Sequence, residues 1–258
     1  MKVLAIAVLL SSGVAEARFA PVLDAPYRLV RTQEHHSNLD GGRRFESERH
    51  IVFMRGGAGY LARITLVGTS DSHADSKYAM LATAMGDRPV EVELDRRGHL
   101  LKVRDLDAIW ARLRAAIGAA ATRDDVRLTL WRVHDAATTA QRVQVVAGVL
   151  STILAPEEAE RSAGTRAVTL PSVGAVPLAA PMRGTETVRR DGRLIGVTVQ
   201  AKADDGSTAV VLSRRRTIDR TSGLVTEQRE EQTIGSRIGG EGHLDRDITT
   251  IRLSPPVL

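Results

Sequence analysis

From Pro26 onward apolar and polar side chains alternate with a period of two, the repeat of a strand that turns one face to a core. Pro26–Leu39 and Arg43–Met54, joined by Asp40-Gly41-Gly42, predict a hairpin, since a three-residue loop with glycine in the left-handed position is a common connection. Pairing Leu39 with Arg43 sets Leu29 opposite Phe53, His36 opposite Glu46 and His50 opposite Thr32. A second turn, Gly56-Gly57-Ala58-Gly59, leads into Tyr60–Val67; pairing Arg55 with Tyr60 sets Phe53 by Ala62 and Ile51 by Ile64. One face then carries Leu29, Ile51, Phe53, Ala62, Ile64 and Leu66, the pattern of an antiparallel sheet buried on one side.

The period changes at Leu106. Leu106, Ile109, Trp110, Leu113, Ala116, Ile117 and Ala120 fall on one helical stripe, with Asp105 as the expected N-cap. Val143, Val146, Ala147, Leu150, Ile153 and Leu154 repeat that spacing in the helix predicted from Thr138 to Leu154. Asp75–Met85 fits a short helix, and Asp124–His134 is ambiguous. Ala155–Pro181 is rich in Ala, Gly and Pro, and its closing stretch with three prolines predicts a crossing loop. Strand patterns flank this region: Pro89–Leu94 and His99–Val103 before it, then Met182–Arg190, Arg193–Ala201, Thr208–Thr217, Gly223–Thr233 and Leu244–Leu253.

Two strand–turn–strand corners echo each other, Asp95-Arg96-Arg97-Gly98 and Asp219-Arg220-Thr221-Ser222-Gly223. In each, Asp is expected to cap the turn through local hydrogen bonds while Gly supplies a positive φ. An ancient duplication and independent use of the same turn chemistry both account for the echo.

These elements predict an α+β protein: a curved, half-barrel-like antiparallel sheet of about nine or ten strands with two or three amphipathic helices on its concave face. Residues 18–258 are expected to form one α+β domain. Two parts, 26–120 and 182–253, would be joined by the helix and Pro/Ala/Gly-rich loop of 121–181. The order of elements resembles that of periplasmic lipoprotein carriers of the LolA and LolB kind, which implies a cavity between sheet and helices suited to an apolar ligand.

The first residues add an address. Lys2, an apolar run from Val3 to Leu10 and Ala15-Glu16-Ala17 have the order of a secretory signal peptide cut after Ala17, and the run is too short to cross a bilayer. The mature chain is expected to carry no transmembrane segment and to reside in the periplasm or outside the cell. The sequence holds no cysteine, which removes disulfides, thiolate metal sites, a cysteine nucleophile and a lipidated cysteine. Of 36 basic residues only Lys2, Lys77, Lys102 and Lys202 are lysine, so the net charge of +5 is carried by arginine, as a GC-rich genome would also produce. The signs are interleaved and aromatics make up only 3% of the chain; nucleic-acid binding, which wants a basic stripe with stacking rings, is not expected.

Reactive constellations are sparse. Glu34-His35-His36, with His50 near in sequence, contains the densest histidine pair, but adjacent strand residues point to opposite faces and cannot share one metal ion. Gly68-Thr69-Ser70-Asp71-Ser72-His73 lacks the second glycine of a nucleophile elbow, and neither glycine-rich stretch ends as a phosphate loop does. No cofactor, metal or catalytic residue is therefore assigned. The function expected is non-enzymatic binding of an apolar or lipid-like ligand, with Phe53, Ile64, Trp110, Leu113 and Ile117 as candidate cavity-lining residues. The alternatives are a structural or interaction protein acting through its arginine-rich surface, and a hydrolase. Arg214, Arg215 and Arg216 are the candidate anion contacts, towards an envelope protein or an anionic headgroup; because strand residues alternate, one of the three is expected to point inward.

Overall fold

The computed structural model describes residues 19–256, apart from 40, 58, 73–81, 83–84, 87, 122, 172–180, 207 and 239–240. The expected leader, His73 and most of Asp75–Met85 lie outside the described residues. Eleven strands form one open antiparallel sheet in the order β5-β4-β3-β2-β1-β11-β10-β9-β8-β7-β6. They are β1 (Pro26–Ser37), β2 (Gly41–Arg55), β3 (Gly59–Asp71), β4 (Val90–Asp95), β5 (Leu100–Val103), β6 (Gly164–Leu170), β7 (Met182–Asp191), β8 (Leu194–Asp204), β9 (Thr208–Asp219), β10 (Leu224–Ile238) and β11 (Glu241–Ser254). The helices are α1 (Leu106–Ala120), α2 (Asp124–Ala136), α3 (Thr139–Ile153) and α4 (Pro156–Glu160). Among the described residues the sheet thus has one or two strands more than expected, and four helices are present where two or three were expected.

The chain builds the sheet from its middle outwards and then back. β1 to β5 run as a meander to one edge, the helices carry the chain to the opposite edge, and β6 to β11 return until β11 pairs with β1. The connection 106–160 therefore joins the two edges. α3 and α4 reach the far half where Leu154 bridges Leu224, where the Ala155 N–H donates to the Gly223 carbonyl at 3.1 Å, and where Ala159 packs among Val188, Ile195 and Val197. α3 starts with a capping box, Thr138 and Gln141 each accepting the other's backbone N–H, and α4 opens on Pro156, whose fixed φ suits a first helical turn.

The predicted β2–β3 register is present residue for residue, with Arg55, Phe53 and Ile51 opposite Tyr60, Ala62 and Ile64. The β1–β2 register differs by four. Leu29 lies opposite Arg49, His36 opposite Gly42 and His50 opposite Arg28, because the turn closes between Ser37 and Gly41, where Gly41 takes a φ of 80°. A shift of four preserves the faces. Leu29, Ile51, Phe53, Ala62 and Ile64 are all buried on one face, and Leu66 is half-buried. Ile109, Trp110, Leu113, Val146, Ala147, Leu150 and Ile153 join them in one cluster, so α1 and α3 pack on this inner face.

Three other expectations are corrected. Asp105 occupies the N-cap position of α1 but sits at φ 51° and makes no side-chain cap bond. Part of the predicted crossing loop is the edge strand β6, which Arg166 anchors through Glu186 of β7. Asp124–His134 is helical, with an inverted pattern: His134 is its buried residue, while Val126, Leu130 and Val133 face solvent. His134 stacks on Trp110 at 4.2 Å and bonds the Trp110 carbonyl through Nε2 at 3.0 Å.

Both aspartate corners are built as their chemistry requires. Asp95 Oδ1 accepts from the backbone N–H groups of Arg97 and His99 at 2.8 Å, and Gly98 has φ 85°. Asp219 Oδ1 accepts from the Thr221 N–H at 2.9 Å, and Gly223 has φ 70°. Asp219 is also gripped by both arms of Arg193, at 2.8 and 2.5 Å. The Arg193 guanidinium holds its carboxyl below the usual aspartate value against the opposing effect of burial. Its contribution to folding is thus complete above the unfolded value near 4 and is lost as pH falls through the lower folded value. The melting temperature should fall as pH drops below about 4, and Asp219→Asn should flatten that fall in a calorimetric pH series; an unchanged pH slope would contradict the assignment.

Candidate functional site

The two faces of the sheet treat charge differently. On the outer face, arginines and carboxylates are matched in a lattice: Arg28 with Glu48, Arg44 with Glu34 and Glu46, Arg63 and Arg104 with Glu91, and Arg246 with Glu231. Such solvated pairs keep a surface soluble and contribute little stability each.

The inner face carries a polar belt between its apolar ends. Moving along β1 from the core, the inward positions read Tyr27, Leu29, Arg31, Gln33 and His35; β2 supplies Phe53, Ile51, Arg49, Ser47, Phe45 and Arg43 in the same phase. Across β1–β11 and β10–β9, Arg31 continues to Ile251, then Gln228, then Arg216. Arg216 donates to Gln228 and to Glu158 of α4, both at 2.7 Å, and Arg214 lies 3.8 Å from Glu230. Of the three arginines singled out in the sequence, Arg214 and Arg216 therefore turn inward and are paired, whereas Arg215 points out and is exposed.

Arg31 and Arg49 are different. Ser47, directly opposite Arg31, is buried, and its hydroxyl accepts from Arg49 Nη1 at 2.6 Å. Neither arginine forms an ion pair among the described residues. Arg31 Nε is buried with no hydrogen-bond partner; the charge felt by that guanidinium is Glu230, which is itself beside Arg214. Burial, reinforced by the like charge of Arg31, brings the Arg49 guanidinium down to about 10.

A cavity of about 440 Å³ opens next to this pair. Gln33, His35, Phe45, Arg43, Asp247 and Thr249 of the inward phase line it, together with Ile248 and Glu34, whose carboxylate is paired with Arg44, so its floor begins one inward position beyond Arg31 on β1 and Ser47 on β2. Its walls are internally tied: His35 Nδ1 meets Asp247 at 2.8 Å, and Arg43 donates to Asp71 at 3.2 Å. His36 and His50 face the opposite side, each about 4 Å from a glutamate (3.8 Å from Glu34 and 4.0 Å from Glu48). Among the described residues no group of three or more histidines and carboxylates is arranged to hold a metal ion.

The five residues expected to line a cavity do meet, as packed core. Phe53 is fully buried, Ile64, Trp110 and Leu113 are at most 8% exposed, and Ile117 packs half-buried against the same cluster. Missing from the sequence-based candidates are Arg31, Arg49, Ser47 and Phe45. Their signal was readable: two arginines and a serine stand in phase with Leu29 and Ile51, at positions a one-sided sheet gives to its core.

No protein-family model matches the chain, and no curated protein matches it. Among solved structures, it is similar to a structure of lipovitellin described for its lipid–protein interactions, with 11% identity and a TM-score of 0.48 over 93% of this chain. The chain spans about a quarter of that protein's length, 26%. Among the described residues no helix is long and apolar enough to cross a membrane.

Proposed function

We propose that the chain is an exported, non-enzymatic binding protein of the periplasm, whose sheet curls about its helices in half-barrel fashion and holds a lipid-like ligand on the inner face. The observation that carries this reading is the cavity of about 440 Å³ on that face, a size within the range of ligand sites, floored by Phe45 and starting one inward position along β1 and β2 from Arg31 and Ser47. The ligand's place is this trough; the layer between α1 and the sheet is filled by its own side chains. The order of Lys2, the apolar run Val3–Leu10 and Ala15-Glu16-Ala17, which is that of a signal peptide, supports the address.

Native mass spectrometry of the full chain purified from the periplasm tests this reading. A co-purifying mass in the range of a fatty acid or phospholipid is expected. A clean apoprotein that also takes up no fluorescent fatty acid would contradict it. That outcome would favour an interaction protein that works through its surface, for which the outward apolar stripe of α2, Val126, Leu130 and Val133, is the natural contact.

A further inference from the structure

Guanidinium groups are kept out of water in folded proteins only when something compensates them, by pairing or by hydrogen bonds. On the inner face Arg216 meets that rule through Glu158 and Gln228, Arg214 lies beside Glu230, and buried Glu186 is held by Arg161 and Arg166. Arg31 and Arg49 are half-buried and meet it only in part: neither has a carboxylate partner among the described residues, and Arg31 Nε is buried without a hydrogen bond. They lie diagonally across the β1–β2 pair, two like charges with Ser47 between them. Only one short bond, Arg49 to the Ser47 hydroxyl, satisfies any of their donors among the described residues. Because Ser47 accepts that bond, its own O–H remains to donate.

Counted together, Arg31, Arg49, Arg214 and Arg216 face Glu230 and Glu158, an excess of positive charge in a half-buried setting. An oxyanion placed between the first two would receive a fork of N–H donors from each and the Ser47 hydroxyl. This is the arrangement in which arginine binds carboxylate and phosphate most strongly.

We propose that Arg31, Arg49 and Ser47 form an anion site that takes the acidic head group of an amphiphile, a carboxylate or phosphate oxyanion, whose apolar chain runs into the trough over Phe45. This rests on the reading of the trough as a ligand site and adds the head-group chemistry to it. The head group supplies the counter-charge that the protein itself omits. The nearby carboxylates do not compete: Glu230 is beside Arg214, and Asp247 is held by His35.

Isothermal calorimetry on the full chain tests the proposal with four probes below their micelle concentrations: dodecanoate, dodecyl phosphate, dodecyltrimethylammonium and inorganic phosphate. The two anionic dodecyl compounds should bind and the cationic one should not. Arg31→Gln and Arg49→Gln should each weaken binding by about tenfold or more, the scale of a hydrogen bond to a charged group. Their melting temperatures without ligand should be unchanged or raised, which separates loss of a site from loss of the fold. If the cationic compound binds as tightly, or the variants bind like the parent, the head-group site is overturned and the apolar-ligand reading stands. Arginine-dependent binding of inorganic phosphate alone would uphold the anion site and remove the amphiphile. Binding of none of the four overturns both.

Discussion

Phe19→Ala is expected to destabilise the protein by about 3–5 kcal/mol, the scale for deleting a buried phenyl ring. Phe19 is 2% exposed and meets Phe53 and Tyr60 edge-on, at 5.8 and 5.1 Å between ring centres. The Tyr60 hydroxyl donates to its carbonyl at 2.8 Å. Its ring also lies against both aspartate corners: a Cβ built on Gly98 would come within 2.6 Å of it, and one on Gly223 within 3.4 Å. The ring is therefore a pin between the first meander, where Gly98 turns, and the returning half, where Gly223 turns and α4 begins. The alanine variant loses the edge-on ring contacts and opens a cavity that the corners, fixed by their own capping bonds, cannot close. Urea denaturation gives the value directly. A loss below about 1 kcal/mol would mean that the site collapses around the gap and that Phe19 is not the pin described here.

Arg49→Met should have the opposite sign and stabilise the unliganded protein by roughly 1 kcal/mol, as replacement of a half-buried charge that lacks a carboxylate partner by an apolar side chain of similar length can do. The folded-state value of about 10 lies below that of an ordinary arginine, so the folded protein holds that proton less tightly than the unfolded chain does. At neutral pH the charge therefore opposes folding, and methionine removes the opposition while retaining the packing of the stem. Arg216→Met is the control. That arginine is engaged by Glu158 and Gln228, and its removal leaves Glu158 half-buried without its partner, so this variant should lose about 2–4 kcal/mol. Two arginines on one face with opposite signs would distinguish a site for an absent counter-ion from a structural ion pair. Destabilisation by both would make Arg49 structural.

The parts of the fold that could be read from the sequence are those in which local chemistry and tertiary packing agree. Glycines fix the turn between Arg55 and Tyr60, and there the register came out residue for residue. In the first hairpin the loop offered two adjacent glycines, and the chain turned at the earlier of them. α2 could not be read because it breaks the link between burial and hydrophobicity. A histidine goes inward, where Trp110 stacks on it and supplies a carbonyl, and valines and a leucine go outward. β6 was hidden by its edge position: with a single neighbour it has little need of an apolar alternation, and Gly164–Ala167 are all exposed.

The candidate site was half legible. Arginine alternation on β9 implied one inward side chain of the triplet; two turn inward, Arg214 and Arg216, and both lie beside carboxylates. The pair that matters depends on three strands from distant parts of the sequence, β1, β2 and β11, meeting at the centre of the sheet. Arg31 and Arg49 stand out only once no carboxylate on those strands reaches them, and that absence belongs to the tertiary arrangement.

Photo-crosslinking tests the central claim most directly. Dodecanoate carrying a diazirine along its chain is incubated with the full protein, irradiated, and the labelled peptides are read by mass spectrometry. Label should fall on the β1, β2 and β11 peptides that hold Gln33, Phe45 and Thr249, and an excess of unlabelled dodecanoate should remove it. Label concentrated on the α1 peptide of Trp110, Leu113 and Ile117, or spread over the surface without competition, would contradict the account.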